Sequence, residues 1–430
     1  MSRNRKRLST LGAVMLVVII VMPVLTPSAW AQSKYKTLYK FTGGKDGENP
    51  DARLIFDQAG NLYGTTDRGG AHGLGTVFQL VPNADGRWRE SVLYSFCSHT
   101  NCGDGAQPAA GVVFDLAGNL YGTTSFGGGA HGGGTVFKLA PNADGSWRES
   151  VLYSFCPRNC RDGAFPFASL IFDRAGNLYG TTYQGGAHGS GTLFQLVPNA
   201  DGSWRESVLH SFCSRTNCGD GAFPPASLIF DQAGNLYGTT WRGGALDQGT
   251  VFKLTRNADG SWRESVLHSF CSRTNCGDGT GPEAGLVFDP AGNLYGTTSS
   301  GGALDQGTVF KLTPSADGNW RESVLHSFCS RTNCGDGAQP VADLVLDPAG
   351  NLYGTTFAGG DQGCYQGGGC GVVFKLTPNS NGGWKEAVLH TFADHPGASP
   401  FAGLILDRAG NLYGTSSGFT TFGSVFEITP

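Results

Sequence analysis

Three short patterns of apolar and turn-forming residues recur along this chain in fixed phase. The first, Asp-x-Ala-Gly-Asn-Leu-Tyr-Gly-Thr, begins at Asp57, Asp115, Asp173, Asp231, Asp289, Asp347 and Asp407, spaced by 58 residues five times and then by 60. The second, Gly-[TVS]-[VL]-Phe-x-[LI], ends at Leu80, Leu139, Leu196, Leu254, Leu312, Leu376 and Ile428. The third, [VT]-Leu-x-x-Phe, ends at Phe41, Phe96, Phe155, Phe212, Phe270, Phe328 and Phe392. Each series has seven members, and self-similarity at such a period marks a repeat architecture.

Within one copy the apolar runs are short and bounded by turn residues, which predicts strands. In the fourth copy, strand A is Leu228-Ile229-Phe230, whose unbroken apolar run predicts burial on both faces. Asp231-Gln232-Ala233-Gly234 reads as a type I turn, and Pro290 and Pro348 occupy its second position in two other copies. Strand B is predicted from Leu236 to Thr240, and a glycine-rich loop from Gly243 to Gly249 leads to strand C, Thr250 to Leu254. A second turn, Asn257 to Gly260, precedes strand D, Trp262 to Phe270. The fold class is therefore all-β, a seven-bladed β-propeller with four antiparallel strands per blade. The repeats begin near residues 36, 91, 150, 207, 265, 323 and 387. The first copy opens on a lone D-type strand, Lys36 to Phe41, and the last stops on a C-type strand, Ser424 to Ile428. The N-terminal strand is thus expected to join the last blade and close the ring, leaving no open sheet edge. An open β-solenoid is the alternative, and it would be expected to carry atypical capping repeats.

Composition refines this picture. The 68 glycines recur at fixed places beside aromatic and β-branched residues, so they are turn residues and not a sign of disorder. Residues 1–31 read as a secretory signal peptide: Arg3, Arg5, Lys6 and Arg7, an apolar run from Leu11 to about Leu25, and Ala29-Trp30-Ala31 before the cut. The mature chain is then a single domain, 32–430. Losing four bases and no acids leaves 26 Lys+Arg against 34 Asp+Glu, a net charge of −8. That charge argues against nucleic acid and against an anionic membrane once the signal is removed. The twelve cysteines fall in close pairs, Cys97-Cys102, Cys156-Cys160, Cys213-Cys218, Cys271-Cys276, Cys329-Cys334 and Cys364-Cys370, read as six local disulfides of an exported protein. Each closes a short ring, worth about 2 kcal/mol on the chain-entropy account. Metal binding is the alternative, but each pair offers two thiolates and no His at ligand spacing.

The segments Leu38-Tyr39-Lys40-Phe41-Thr42-Gly43, Asp46-Gly47, Pro50, Asn61-Leu62-Tyr63-Gly64-Thr65-Thr66, Gly69-Gly70 and Gly75-Thr76-Val77-Phe78, recurring in all seven copies, resemble the GloVer tandem repeat of exported bacterial proteins. Asn-Leu-Tyr-Gly-Thr is also similar to the blade repeat of two-component sensor propellers. The resemblance implies export and often a C-terminal sorting anchor, with no established activity. This chain ends on its closing strand at Pro430, so the expectation is a soluble extracellular or periplasmic protein.

Candidate chemistry lies where the copies differ. The long D–A and B–C loops share one face, the expected binding face. There, the residues after Gly-Thr-Thr vary, and Arg68, Phe126, Tyr183, Trp241, Arg242 and Phe357 are candidates for sugar stacking and hydrogen bonding. Drift at a loop position is the plainer alternative. Asp51, Arg53, Glu283 and Asp343 break the repeat at the start of strand A and are expected at the mouth of the central channel, where solvated loop charge is again the plainer reading. The repeated Asp46, Asp104, Asp162, Asp220, Asp278 and Asp336 are expected to hydrogen-bond their own turns, since a lone carboxylate is too few ligands for calcium. Trp88, Trp147, Trp204, Trp262, Trp320 and Trp384 are expected to pack between blades, and His210, His268, His326 and His390 to occupy a partly buried packing position held elsewhere by tyrosine. His72, His131 and His188 sit one per blade, too dispersed for a metal site. The pattern shows no catalytic constellation and implies no metal and no cofactor. It reads as a secreted binding module for a glycan or protein. The alternative is a carbohydrate-active hydrolase or lyase with one site at the channel mouth. A monomer is consistent with the pattern, which does not reveal the oligomeric state.

Overall fold

The chain folds as a ring of seven four-stranded antiparallel sheets. The structure, a computed structural model, describes residues 33–129, 131–360, 363–364, 368–393, 398–418 and 421–430; the signal segment 1–31 lies outside them. Blade 1 is built from Ile55–Phe56, Leu62–Thr66, Thr76–Pro82 and Trp88–Ser95, as strands A to D. The strand A of blades 2 to 6 begins at Val113, Ile171, Ile229, Val287 and Val345. Blade 7 holds Ile405–Leu406, Leu412–Ser416 and Ser424–Thr429, and its fourth strand is the N-terminal Lys34–Lys40. That strand pairs antiparallel with Ser424–Thr429, from Lys34 opposite Thr429 to Lys40 opposite Ser424, closing the ring as expected.

Each letter of the dominant motif has a physical task. In blade 1, Asp57 Oδ1 accepts the backbone N–H groups of Ala59 and Asn61, while Oδ2 accepts Asn61 Nδ2 and the Tyr63 hydroxyl. Leu62 is fully buried. Tyr63 packs edge-on against Phe114 of blade 2, with ring centroids 5.0 Å apart. Thr65 Oγ1 donates to the carbonyl of Ala110, also in blade 2. The same bond recurs at every seam, ending with Thr415 on Ala52. Gly64 is needed because the Phe78 ring lies against it: a Cβ there would stand 2.7 Å from Phe78 Cζ.

That phenylalanine is the centre of the packing. It meets, edge to face, the phenylalanine that ends strand D of the preceding blade, as in Phe96–Phe137 at 4.9 Å and Phe212–Phe252 at 5.1 Å. All seven seams carry the pair, including Phe41–Phe78 and Phe392–Phe426 on either side of the closing blade. The tryptophans pack across seams as expected, Trp204 against Tyr121 and Trp262 against Tyr179. All six disulfides form. Five staple D–A loops, and Cys364-Cys370 sits in the B–C loop of blade 6, buried in the last seam.

One expectation changes. Strand A is not buried on both faces: Leu228 is buried, but Ile229 and Phe230 are half-exposed. Strand A is the innermost strand; Ile229 borders the axial channel, and Phe230 packs edge-on against Tyr179 of blade 3 beside the groove between the two blades.

The outer part of each seam holds a carboxylate pair. Tyr94, Tyr153, His210, His268 and His326 contact Asp104, Asp162, Asp220, Asp278 and Asp336, which also cap the backbone of their own loops. Facing them from the next blade are Glu149, Glu206, Glu264, Glu322 and Glu386, each with a buried Oε1 that lacks a hydrogen-bond partner. Arg215, Arg273 and Arg331 bind the other oxygen in three seams. Burial, then the charge of Asp104, pushes Glu149 up to about 7, and burial with Asp162 does the same to Glu206. The seam between blades 6 and 7 is different. By strand register Tyr35 takes the glutamate's place, and it stacks on His390 at 3.9 Å.

Two outcomes are expected. Gly238→Ala would put a Cβ 2.7 Å from Phe252 Cζ. It should cost about 1–3 kcal/mol in denaturant unfolding, part of which Phe252→Leu in the same chain restores. The glutamates bind their protons more tightly folded than unfolded. Their contribution is therefore complete below about 4.5 and is lost as pH rises through about 7. Glu149→Gln should raise the melting temperature at pH 8 by about 2 °C and leave it nearly unchanged at pH 4, read by circular dichroism.

Candidate functional site: the axial mouth

Seven segments of the form x-Pro-x-Ala-x carry the chain from the D–A loops into strand A. The residue before proline is left-handed in each, from Asn49 (φ 55°) and Gln107 (φ 55°) to Ser399 (φ 55°). Its N–H donates to the B–C loop of the preceding blade, as Gln107 does to Leu74 and Phe223 to Ser190. Loop pins loop, so the following residues reach the axis on a rigid frame.

The residues after the proline, three from each of six blades and Glu283 from blade 5, line one cavity of about 110 Å³ at the mouth of the channel. Asp51, Arg53, Glu283 and Asp343, expected at the mouth, all line it. Asp51 accepts a hydrogen bond from Ser417 of blade 7. Burial, against that bond, pushes its carboxyl up to about 7. Glu283 is likewise raised by burial, with Ser299 opposing. Asp343 Oδ1 accepts the Gly285 N–H at 2.6 Å, which ties blade 6 to blade 5. Arg53 is exposed and takes part in none of the ion pairs among the described residues.

The second series converges on the same rim. Tyr183 stands between Phe167 at 5.7 Å and Phe223 at 5.3 Å, and Phe357 lies on Phe401 at 4.6 Å. Arg242 covers the Trp241 ring at 4.4 Å. Tyr183, Trp241, Arg242 and Phe357 are thus half-buried, not free-standing, because each packs on its neighbours along the rim. Arg68 and Phe126 are exposed one step outward, where their backbones bridge to Glu48 and Ala106 of the D–A loops. Those bridges close the gaps between loops. Among the described residues the loop face presents a ring-shaped mouth at the axis. The larger clefts lie on the opposite face, where the A–B and C–D turns are too short to cover the seams.

Sequence reasoning missed Phe167 and Phe401, both exposed at the mouth. The signal is in the sequence: they hold the position of Asp51 and Glu283 in the Pro-x-Ala segment. Among the described residues no cluster of three or more His, Cys, Asp or Glu side chains is arranged to hold a metal. His72, His131 and His188 are exposed on three separate blades.

Comparison with known proteins follows this geometry. No curated protein matches the chain in sequence. Among solved structures it is similar to PorZ, described as an essential bacterial surface component of the type-IX secretion system of Porphyromonas gingivalis. The similarity has a TM-score of 0.50 at 14% identity and covers 90% of this chain and 47% of PorZ, so this chain spans about half that protein's length. At that identity the likeness concerns the fold. The profile of the Gloeobacter/Verrucomicrobia repeat matches residues 24–156, 87–287 and 263–430, all seven blades, and the chain belongs to that repeat family.

Proposed function

We propose that this protein is an exported, non-catalytic binding module that takes its principal ligand, a glycan or a protein segment, at the axial mouth of the loop face. The observation that carries this reading is the convergence of the two variable series on one rim. The blades are otherwise near copies, and a residue repeated in every blade is accounted for by the packing above. The departures from repetition gather around a single cavity that mixes acid, one exposed arginine and aromatic edges. A rigid scaffold that varies only in the loops at one place is the usual design of a recognition surface. Export is supported by the six closed disulfides, which persist in oxidising compartments, and by the surface location given for PorZ. Among the described residues no helix is long and apolar enough to cross a membrane.

The test is an array of immobilised oligosaccharides and peptides probed with the mature protein. A variant with Arg53→Gln, Phe167→Ala, Glu283→Gln and Phe401→Ala should fold normally, since these side chains border the cavity and not the seams. It should lose about tenfold or more in affinity for any ligand found. Because Asp51 gains its charge near pH 7, Asp51→Asn should remove any change in affinity between pH 5.5 and 8. Unaltered binding by both variants overturns the reading. Turnover of a bound oligosaccharide that Asp51→Asn abolishes would assign the mouth to catalysis.

A further inference from the structure

Two clefts larger than the cavity at the mouth open between blades. Between blades 5 and 6 a groove of about 720 Å³ opens on the turn face, lined by Tyr295, Lys311, Asp347, Pro348 and Trp384. Between blades 3 and 4 a groove of about 660 Å³ has the same construction, with Tyr179, Arg256, Asp231 and Trp262. Both volumes fall in the range of small-ligand sites. The construction is periodic. Tyr121–Trp204, Tyr179–Trp262, Tyr237–Trp320 and Tyr295–Trp384 meet edge to face at 6.1–6.3 Å across four seams. Tyr63 with Trp147 and Tyr413 with Trp88 share the cores of two more. The seam between blades 6 and 7 lacks the pair, because by register Ser33 stands where the tryptophan would.

We propose that the turn face is a second binding surface, for a neutral polysaccharide, with one sugar ring seated in each of six Tyr–Trp grooves. Packing explains why the tryptophans recur; it does not explain why they stay half-exposed at the edge of an open cleft. A sugar ring has an apolar face that a half-exposed indole covers and a rim of hydroxyls that need polar partners. Those partners are present. In three of the six grooves a lysine ammonium lies over the tyrosine ring, at 5.3–5.6 Å in Lys138, Lys253 and Lys311. Lys253 acts electrostatically on the turn aspartate of its own blade, Asp231. In blade 5, Asp289 has both oxygens engaged, by Ala291, Asn293 and Tyr295. The two grooves described above hold acid and base together, Asp289 and Asp347 with Lys311 in one and Asp173 and Asp231 with Arg174 and Arg256 in the other, which favours a neutral chain over a uronate or a polyamine. Six like grooves facing one way turn weak single contacts into firm retention on a polymer that presents many equivalent sugars.

The experiment uses the mature chain and is independent of the mouth. Adsorption to microcrystalline cellulose and to chitin is measured, with polygalacturonate as the anionic control, and cellohexaose and chitohexaose are titrated while tryptophan fluorescence is followed. Six of the seven tryptophans among the described residues line these seams, so the signal reports on them. Expected is saturable retention on a neutral polymer that changes little with the mouth variant. It should weaken about 2- to 10-fold for each groove altered in a series Trp204→Leu, Trp262→Leu, Trp320→Leu. Should the leucine series unfold, Lys253→Glu with Lys311→Glu replaces it: these solvent-edge changes spoil the charge balance without touching the seam core, and should weaken retention similarly. Absence of retention on both neutral polymers, retention on polygalacturonate alone, or retention indifferent to the groove variants overturns the proposal. Retention lost with the mouth variant alone overturns it too and returns glycan binding to the mouth.

Discussion

Every seam of this ring is closed by one phenylalanine edge set against another, over a glycine that leaves room for the ring. The contact makes the repeat what it is. The glycine of Asn-Leu-Tyr-Gly-Thr cannot carry a side chain because strand C's phenylalanine occupies its Cβ position. The phenylalanine ending strand D reaches across to the next blade, so no blade completes its own core. A blade in isolation would expose half of each pair. Stability is therefore a property of neighbours, and the ring must close for the first and last blades to be satisfied.

The closing seam shows how much of the rest is adjustable. Phe41–Phe78 and Phe392–Phe426 keep the aromatic contact on both sides of blade 7. The polar features outside it change. Tyr35 replaces the buried glutamate and stacks on His390, whose own charge burial suppresses, holding it down to about 4. The other six seams carry a carboxylate with one unpartnered oxygen, and three recruit an arginine from the disulfide loop. The seam between blades 6 and 7 thus avoids a buried carboxylate, which the other six tolerate.

Function follows from what the packing leaves free. On the loop face, left-handed residues ahead of each proline tie every D–A loop to the B–C loop before it, and that network delivers the residues after the proline to the axis. On the turn face the hairpins are as tight as four residues allow, so they cannot cover the seams, and the Tyr–Trp pairs remain accessible. One face concentrates difference and the other displays sameness. A single selective mouth and a multivalent surface are the two binding modes such a division supports.

The sequence by itself determined the blade count, the order of strands, the disulfide pairing and the way the ring shuts. Each depends on short-range periodicity and on residues such as Gly64 or Phe78 whose roles repeat seven times. It also placed Asp51, Arg53, Glu283 and Asp343 at the mouth, because they interrupt a pattern. Only the tertiary structure decided that Tyr183, Trp241 and Phe357 join that mouth, since the contacts with Phe223 and Phe401 cross from one blade to the next. Only it showed that strand A borders an open channel, and that the open clefts lie on the turn face. The local pattern of a blade says which residues face its neighbours; the gap between two blades is a distance that exists once the ring has closed.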